Sequence, residues 1–111
     1  MGTRAALAIL GDLATGLTAT GTTQGTAYAI TASTSVFATV PAGTGAILPS
    51  AGANDVLTVA NHSGTTLMVY PPVGGKINNR TANYGVAMPG NTAVEFRCLD
   101  GANYLAMIAS N

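Results

Sequence analysis

From residue 26 onward the chain is a series of short runs that are β-branched or alternate apolar with polar residues, separated by turn residues. These runs are Thr26–Thr31, Thr34–Val40, Thr44–Leu48, Asp55–Ala60, Thr65–Tyr70, Lys76–Asn78, Tyr84–Met88, Thr92–Leu99 and Asn103–Ala109. Short strands at such spacing predict an all-β fold, an antiparallel β-sandwich or barrel of the jelly-roll type. Because no run of helical length lies between them, a parallel sheet is not expected.

Two pairs of runs carry hairpin signals. Asp55–Ala60 and Thr65–Tyr70 are separated by Asn61-His62-Ser63-Gly64, a four-residue turn rich in residues that bond their own backbone. Thr92–Leu99 and Asn103–Ala109 are joined through Asp100-Gly101, a strong short-turn signal. The sequence therefore predicts an antiparallel hairpin at each of these two places.

The N-terminal residues have a different pattern. Thr3–Leu17 is the only helical candidate, with an apolar stripe at Leu7, Leu10, Ala14 and Leu17. Such a short helix is marginal unless its apolar side docks on another surface. Thr18–Gly25 has the composition of a flexible linker. These features predict an N-terminal helical arm and linker over residues 1–25, followed by a β domain over residues 26–111.

Charge and composition change this picture in one respect. Of the 111 residues 48% are hydrophobic, but only 7% are charged and 5% aromatic, and the formal net charge is zero. A neutral, charge-poor surface resists aggregation poorly, so we expect much of it to be covered by copies of the chain or by a larger assembly. The charge balance predicts no nucleic-acid partner, and no apolar run is long enough to predict a membrane span. Asp12 interrupts the apolar residues after Arg4, which argues against a signal peptide.

The chemistry-bearing residues are few. A metal site needs several ligands at suitable spacing, whereas the chain has one histidine, His62, and one cysteine, Cys98. Cys98 alternates with Val94 and Phe96, which is typical of a buried core residue. The carboxylates are spread over Asp12, Asp55, Glu95 and Asp100. We therefore expect no enzyme activity, no cofactor and no metal.

The tyrosines allow two interpretations. Tyr28, Tyr70, Tyr84 and Tyr104 could stack on sugars, but Tyr70 and Tyr104 alternate with apolar residues and are expected at the border of the core. Asn61-His62-Ser63 and Asn79-Arg80-Thr81 match the glycosylation sequon, which matters only in a eukaryotic secretory protein.

Several stretches taken in order are similar to a known family. They are GTTQGTAYAI at Gly21–Ile30, VPAGTGAILP at Val40–Pro49, DVLTVAN at Asp55–Asn61, MVYPPVGGKIN at Met68–Asn78 and FRCL at Phe96–Leu99. In this order they resemble a family of small tailed-bacteriophage virion proteins, the β-modules of head decoration and head fibres. One departure is Tyr104, where similar proteins often carry a tryptophan.

The resemblance implies a β-rich homotrimer on the outer surface of the virion head, made in the host cytoplasm. It also implies that the N-terminal arm docks on the major capsid protein or another virion protein. We expect Leu7, Ile9, Leu10 and Leu13 to make the anchoring contacts. A receptor- or glycan-binding module of a tail fibre is the alternative, and a secreted bacterial adhesin is a third interpretation.

Overall fold

The computed structural model describes residues 12–108, which form β-strands, turns and one 3-10 turn at Gln24–Thr26. The strands are β1 (Leu13–Thr18), β2 (Tyr28–Ala29), β3 (Thr34–Thr39), β4 (Gly45–Ile47), β5 (Val56–Asn61), β6 (Leu67–Tyr70), β7 (Val86–Met88), β8 (Thr92–Cys98) and β9 (Tyr104–Ile108). The prediction of a β-rich fold is therefore confirmed.

The strands form two sheets, and the chain alternates between them from β1 to β6. A five-stranded sheet has the order β1-β3-β5-β8-β9, and a four-stranded sheet has the order β2-β4-β6-β7. Each of the strands β3 to β6 pairs in parallel with the strand that precedes it in the same sheet. The first six strands are thus three successive coils, each with one strand in either sheet, and β7, β8 and β9 then add antiparallel pairs.

The expectation of purely antiparallel sheets was wrong, and so was the exclusion of parallel pairing. Parallel neighbours need a crossover of about a dozen residues or more, which is usually a helix. Here the strand in the opposite sheet serves as that crossover: Thr34 of β3 pairs with Thr58 of β5, and β4 lies between them along the chain. The two sheets remain separate and do not close into a barrel.

One predicted hairpin is confirmed and the other is wrong. β8 and β9 pair as an antiparallel hairpin from Val94–Ile108 to Cys98–Tyr104. β5 and β6 lie in different sheets, so the Asn61–Gly64 turn carries the chain from one sheet to the other. The turn residues correctly indicated a reversal, but turn chemistry does not determine which strands pair after it.

The described part of the predicted helical arm is a strand. Leu13–Thr18 pairs in parallel with β3, and its register shifts around Gly16, which has a positive φ of 67°. A strand is possible here because β3 supplies backbone partners and because Leu17 packs against the core. Residues 1–11 of the arm lie outside the described residues. The segment that follows β1 also packs on the β-sheets, since Ala19 is buried and donates its N–H to the Thr39 carbonyl at 2.9 Å.

The two sheets share one hydrophobic core. Its larger members from the five-stranded sheet are Phe37, Leu57, Val59, Val94, Phe96 and Tyr104, and those from the four-stranded sheet are Leu67, Val69, Val86 and Met88. Along β6, β7 and β8 these residues alternate with more exposed ones, as expected where one face is buried. The ring of Tyr28 packs edge-to-face on Phe37, with 5.4 Å between ring centroids.

A buried carboxamide holds the crossing from β5 to β6. Asn61 is fully buried, and its Nδ2 lies 2.7, 3.2 and 3.3 Å from the carbonyl oxygens of Thr65, Met88 and Pro89. Its Oδ1 accepts hydrogen bonds from the backbone N–H and the hydroxyl of Ser63, at 3.0 and 2.7 Å. One side chain therefore joins the crossing turn to the loop between β7 and β8.

We expect Asn61→Ala to lower the free energy of unfolding by about 2–4 kcal/mol, because it leaves buried carbonyls without a donor. Urea denaturation of the two proteins measures the difference. His62→Ala, next along the chain and exposed, is the matched control and should change stability by less than about 0.5 kcal/mol. Equal effects of the two substitutions would contradict the role given to Asn61.

Candidate functional site

A surface cleft lies where the β8–β9 turn meets the segment before β7. Its volume is about 290 Å³, and its lining residues are Lys76, Asn79, Leu99, Asp100, Asn103 and Tyr104. We call it the turn cleft. It brings together parts of the chain that are distant in sequence, with a lysine on one wall and an aspartate on the other.

Backbone pairing fixes one wall of the turn cleft. Tyr104 donates its N–H to the Lys76 carbonyl and accepts the N–H of Asn78, both at 2.9 Å. The Asn78 Oδ1 accepts the N–H of Ala106 at 2.9 Å, so a side chain continues the pairing where the backbone turns away. Ile77 between them is fully buried in the core. Segment 76–78 therefore lies along the start of β9 and is hydrogen-bonded to it.

A glycine permits the closest approach of the two walls. A Cβ on Gly75 would collide with the carbonyl group of Ala102, so only glycine fits there. Beyond it, Asn78 and Asn79 have φ of 54° and 60°, a left-handed conformation that asparagine tolerates better than most residues. The close approach at Gly75 and the left-handed conformations of Asn78 and Asn79 turn the chain so that Asn79 reaches the cleft.

Hydrogen bonds orient the second wall. Asn103 donates its backbone N–H to Asp100 Oδ1 at 3.2 Å, and its Nδ2 donates to both carboxylate oxygens, at 2.9 and 3.1 Å. The Asn103 Oδ1 accepts the N–H of Lys76 at 3.0 Å, which connects the two walls. Both ends of the Asn103 side chain are thus occupied, while the Asp100 carboxylate keeps further lone pairs for a ligand.

Tyr104 anchors β9 beneath the turn cleft. Its side chain is buried, and its hydroxyl donates a hydrogen bond to the Pro49 carbonyl. Burial raises the pKa of the Tyr104 phenol far above its usual range, and the nearby Cys98 and Asp55 raise it further. The phenol is therefore held in its protonated form.

The raised pKa predicts a loss of stability in alkali. Above about pH 10 the unfolded tyrosine releases its proton while the folded one retains it. The free energy of unfolding should therefore fall by up to about 1.4 kcal/mol per pH unit from that pH upward. Tyr104→Phe should remove this part of the slope, at a cost of about 1 kcal/mol at neutral pH for the lost hydrogen bond.

Chemical denaturation between pH 8 and 11.5 tests the prediction. Tyr84→Phe is the control, because that side chain is 59% exposed. An unchanged alkaline slope in Tyr104→Phe would show that another group causes it.

An apolar strip lies next to the turn cleft on the solvent side of the β8–β9 hairpin. It consists of Leu99, Leu105 and Met107, all exposed, with Met107 at 58%. Leu105 pairs with Arg97 and Met107 with Glu95, so two opposite charges lie directly beside the strip. The Arg97 guanidinium donates to the Asn54 Oδ1 at 2.7 Å. We call these three residues the β9 strip.

The structure does not bring the predicted anchoring residues to the turn cleft. Leu13 begins β1 and is 67% exposed, while β9 and the cleft belong to the opposite edge of the five-stranded sheet. Leu7, Ile9 and Leu10 lie outside the described residues. The anchoring role of these four residues stays a prediction.

The turn cleft could not be predicted from the sequence. Only the Asp100-Gly101 turn indicated a feature at this place, and nothing in the sequence pattern linked that turn to Lys76 and Asn79.

Other candidate residues have structural surroundings. Cys98 is buried and its Sγ accepts the N–H of Gly101 at 3.2 Å, which confirms the core interpretation. His62 is exposed in its turn. Tyr104 is in the core and Tyr70 is half-buried, as their alternation predicted. The side chain of Asn61 is buried and fully bonded, so this sequon offers no glycan acceptor in the folded protein.

Within residues 12–108 no group of three or more histidine, cysteine, aspartate or glutamate side chains could hold a metal ion. No helix in the same range is long and apolar enough to cross a membrane. Comparison of the chain with family models, curated proteins and solved structures finds no match. Function is therefore inferred from the residues and their geometry.

Proposed function

We propose that the protein is a bacteriophage structural protein that decorates the outside of the capsid, as a cement or head-fibre protein. In this proposal it assembles as a homotrimer, and its N-terminal residues dock on the major capsid protein or another virion protein. The two sheets act as a sandwich-like scaffold, with no catalytic part. The observation that carries the proposal is the exposure of Leu13 at the point where an apolar N-terminal segment joins the domain.

The position of Leu13 supports the proposed docking role. Its side chain is 67% exposed at the start of an edge strand, beside Thr34 of β3. Covering a leucine side chain contributes about 1.5–3 kcal/mol, and this domain leaves most of that unrealised. Leu7, Ile9 and Leu10 precede it along the chain. Together the four side chains supply enough apolar surface for a partner to hold the domain by its N-terminal end.

Replacement of Leu7, Ile9 and Leu10 by serine should abolish cosedimentation with shells that lack the protein, because the apolar contact is lost. These positions precede β1, so the fold should be unaffected, which circular dichroism checks. A deletion should likewise stop at residue 11, since β1 starts at Leu13 and belongs to the sheet.

Val73→Ser is the matched control for this experiment. Val73 is 76% exposed but lies between β6 and β7, away from the N-terminal segment, and its replacement should leave shell binding unchanged. Full shell binding by the triple-serine variant would show that the N-terminal residues are not the anchor.

The trimer is proposed from the surface composition and the β9 strip. A chain with only four acidic and four basic residues has few charges to keep its copies apart. The strip presents Leu99, Leu105 and Met107 beside Glu95 and Arg97, an apolar centre with a charged border. That arrangement is typical of protein–protein interfaces, and symmetric assembly would cover it.

Met107→Glu should therefore convert the trimer to a monomer, because it places a charge in the contact beside Glu95. Light scattering coupled to size-exclusion chromatography measures the mass directly. Ala87→Glu is the control, since Ala87 is exposed on β7 in the other sheet. A monomeric unmodified protein at high concentration would contradict the trimer, and a trimeric Met107→Glu variant would place the interface elsewhere.

A receptor- or glycan-binding module of a tail fibre is the alternative function. Surface tyrosines clustered around a groove would favour it. Tyr28 and Tyr70 are half-buried and Tyr104 is buried, which leaves Tyr84 as the exposed member. Stacking of sugars on a tyrosine groove is therefore not favoured, and any sugar recognition needs another site.

A further inference from the structure

We propose that the turn cleft binds a neutral saccharide ring. This inference is separate from capsid decoration, because neither the N-terminal segment nor trimer formation enters the argument. It does not use the tyrosines as stacking platforms. It rests on the size, the polar groups and the rigidity of one cleft between the β8–β9 turn and segment 76–79.

The size suits a small ligand. At about 290 Å³ the turn cleft is at the lower end of the range for small-molecule sites, roughly 300–1,000 Å³. One pyranose ring fits such a space, whereas a folded protein segment does not. Lys76 and Asn79, which line the cleft, are exposed to solvent, so a ring at the end of a longer glycan can enter.

The polar groups match hydroxyl chemistry. Asp100 offers carboxylate lone pairs beyond those that Asn103 uses, and Lys76 offers ammonium donors. The Asn79 carboxamide can both donate and accept. A sugar hydroxyl is likewise donor and acceptor at once, so neighbouring hydroxyls can donate to Asp100 and accept from Lys76 or Asn79.

The charges favour a neutral ligand. Lys76 and Asp100 carry opposite charges on the two walls, and among the described residues no ion pair joins them. An anion would gain at the lysine and lose at the aspartate, and a cation would do the reverse. A ligand without charge meets neither penalty and still uses both groups as hydrogen-bond partners.

The Asp100 side of the site is held in place before a ligand arrives. The three hydrogen bonds from Asn103 hold the Asp100 carboxylate, and the bond from Lys76 N–H to Asn103 Oδ1 holds the walls together. Groups already held in place cost little entropy on binding. No exposed aromatic ring lines the cleft, so we expect a dissociation constant on the order of 1 mM for a single sugar.

The test is a titration of the full-length, ¹⁵N-labelled protein followed by heteronuclear NMR. The probes are glucose, galactose, mannose and N-acetylglucosamine, each to about 50 mM, well above the expected dissociation constant. At least one sugar should shift the amide resonances of Lys76, Asn79, Asp100 and Asn103 in a saturable way. Acetate and methylammonium are the charged comparison ligands and should not do so.

Two substitutions locate the site. Asn79→Gly removes the carboxamide, and glycine accepts the φ of 60° there without strain. Asp100→Asn removes the charge and keeps an oxygen that Asn103 can bond. Each should weaken sugar binding about tenfold, the loss of one strong hydrogen bond. Asn91→Gly is the matched control, because Asn91 has a φ of 61°, is exposed and lies outside the cleft.

The outcomes separate clearly. Absence of saturable shifts with all four sugars, shifts at another surface, or tighter binding of acetate or methylammonium would each overturn the proposal. So would equal binding by Asn79→Gly, Asp100→Asn and Asn91→Gly. Shell binding of the same variants reports on decoration separately, since the N-terminal residues are unchanged in all of them.

Discussion

The mutual burial of two sheets by a chain that alternates between them is the constraint on which this structure depends. Each of the first three coils contributes one strand to either sheet, so every coil must cross from one to the other. A crossing carries polar backbone past an apolar core, and those groups need partners. At the crossing from β5 to β6 the carboxamide of Asn61 supplies them, with bonds to Thr65, Met88 and Pro89.

The same winding separates the surfaces on which the functional proposals rest. β1 and β9 are the two edges of the five-stranded sheet, so Leu13 lies at one edge and the β9 strip at the other. A contact at the first edge therefore leaves the second one free for copies of the chain. The turn cleft shares Leu99 with the β9 strip. The proposed sugar site and the proposed surface for self-association therefore meet at one residue, while the proposed shell contact lies at a different edge.

Local features were predictable from sequence, and long-range pairing was not. The alternation of Val94, Phe96 and Cys98 indicated a half-buried strand, and Asp100-Gly101 indicated the hairpin that follows. Leu13 and Leu17 are four positions apart, a spacing that fits a helix or, with the bulge near Gly16, an edge strand. Only the presence of β3 decides between them. The turn cleft depends on the pairing of Lys76 with Tyr104, which no local pattern encodes.

The order of the strands also has a consequence for synthesis of the chain. Each strand from β3 to β6 has a partner that precedes it, so the coils can pair as the chain leaves the ribosome. β5 has the longest wait for its second neighbour, which is β8, and the Met88 carbonyl that Asn61 bonds lies 27 positions later. Until β8 is made, β5 is an open, apolar edge, the kind of edge that seeks strands of other chains. The stage of synthesis most exposed to aggregation is therefore the interval after β6 has been made and before β8 has been made.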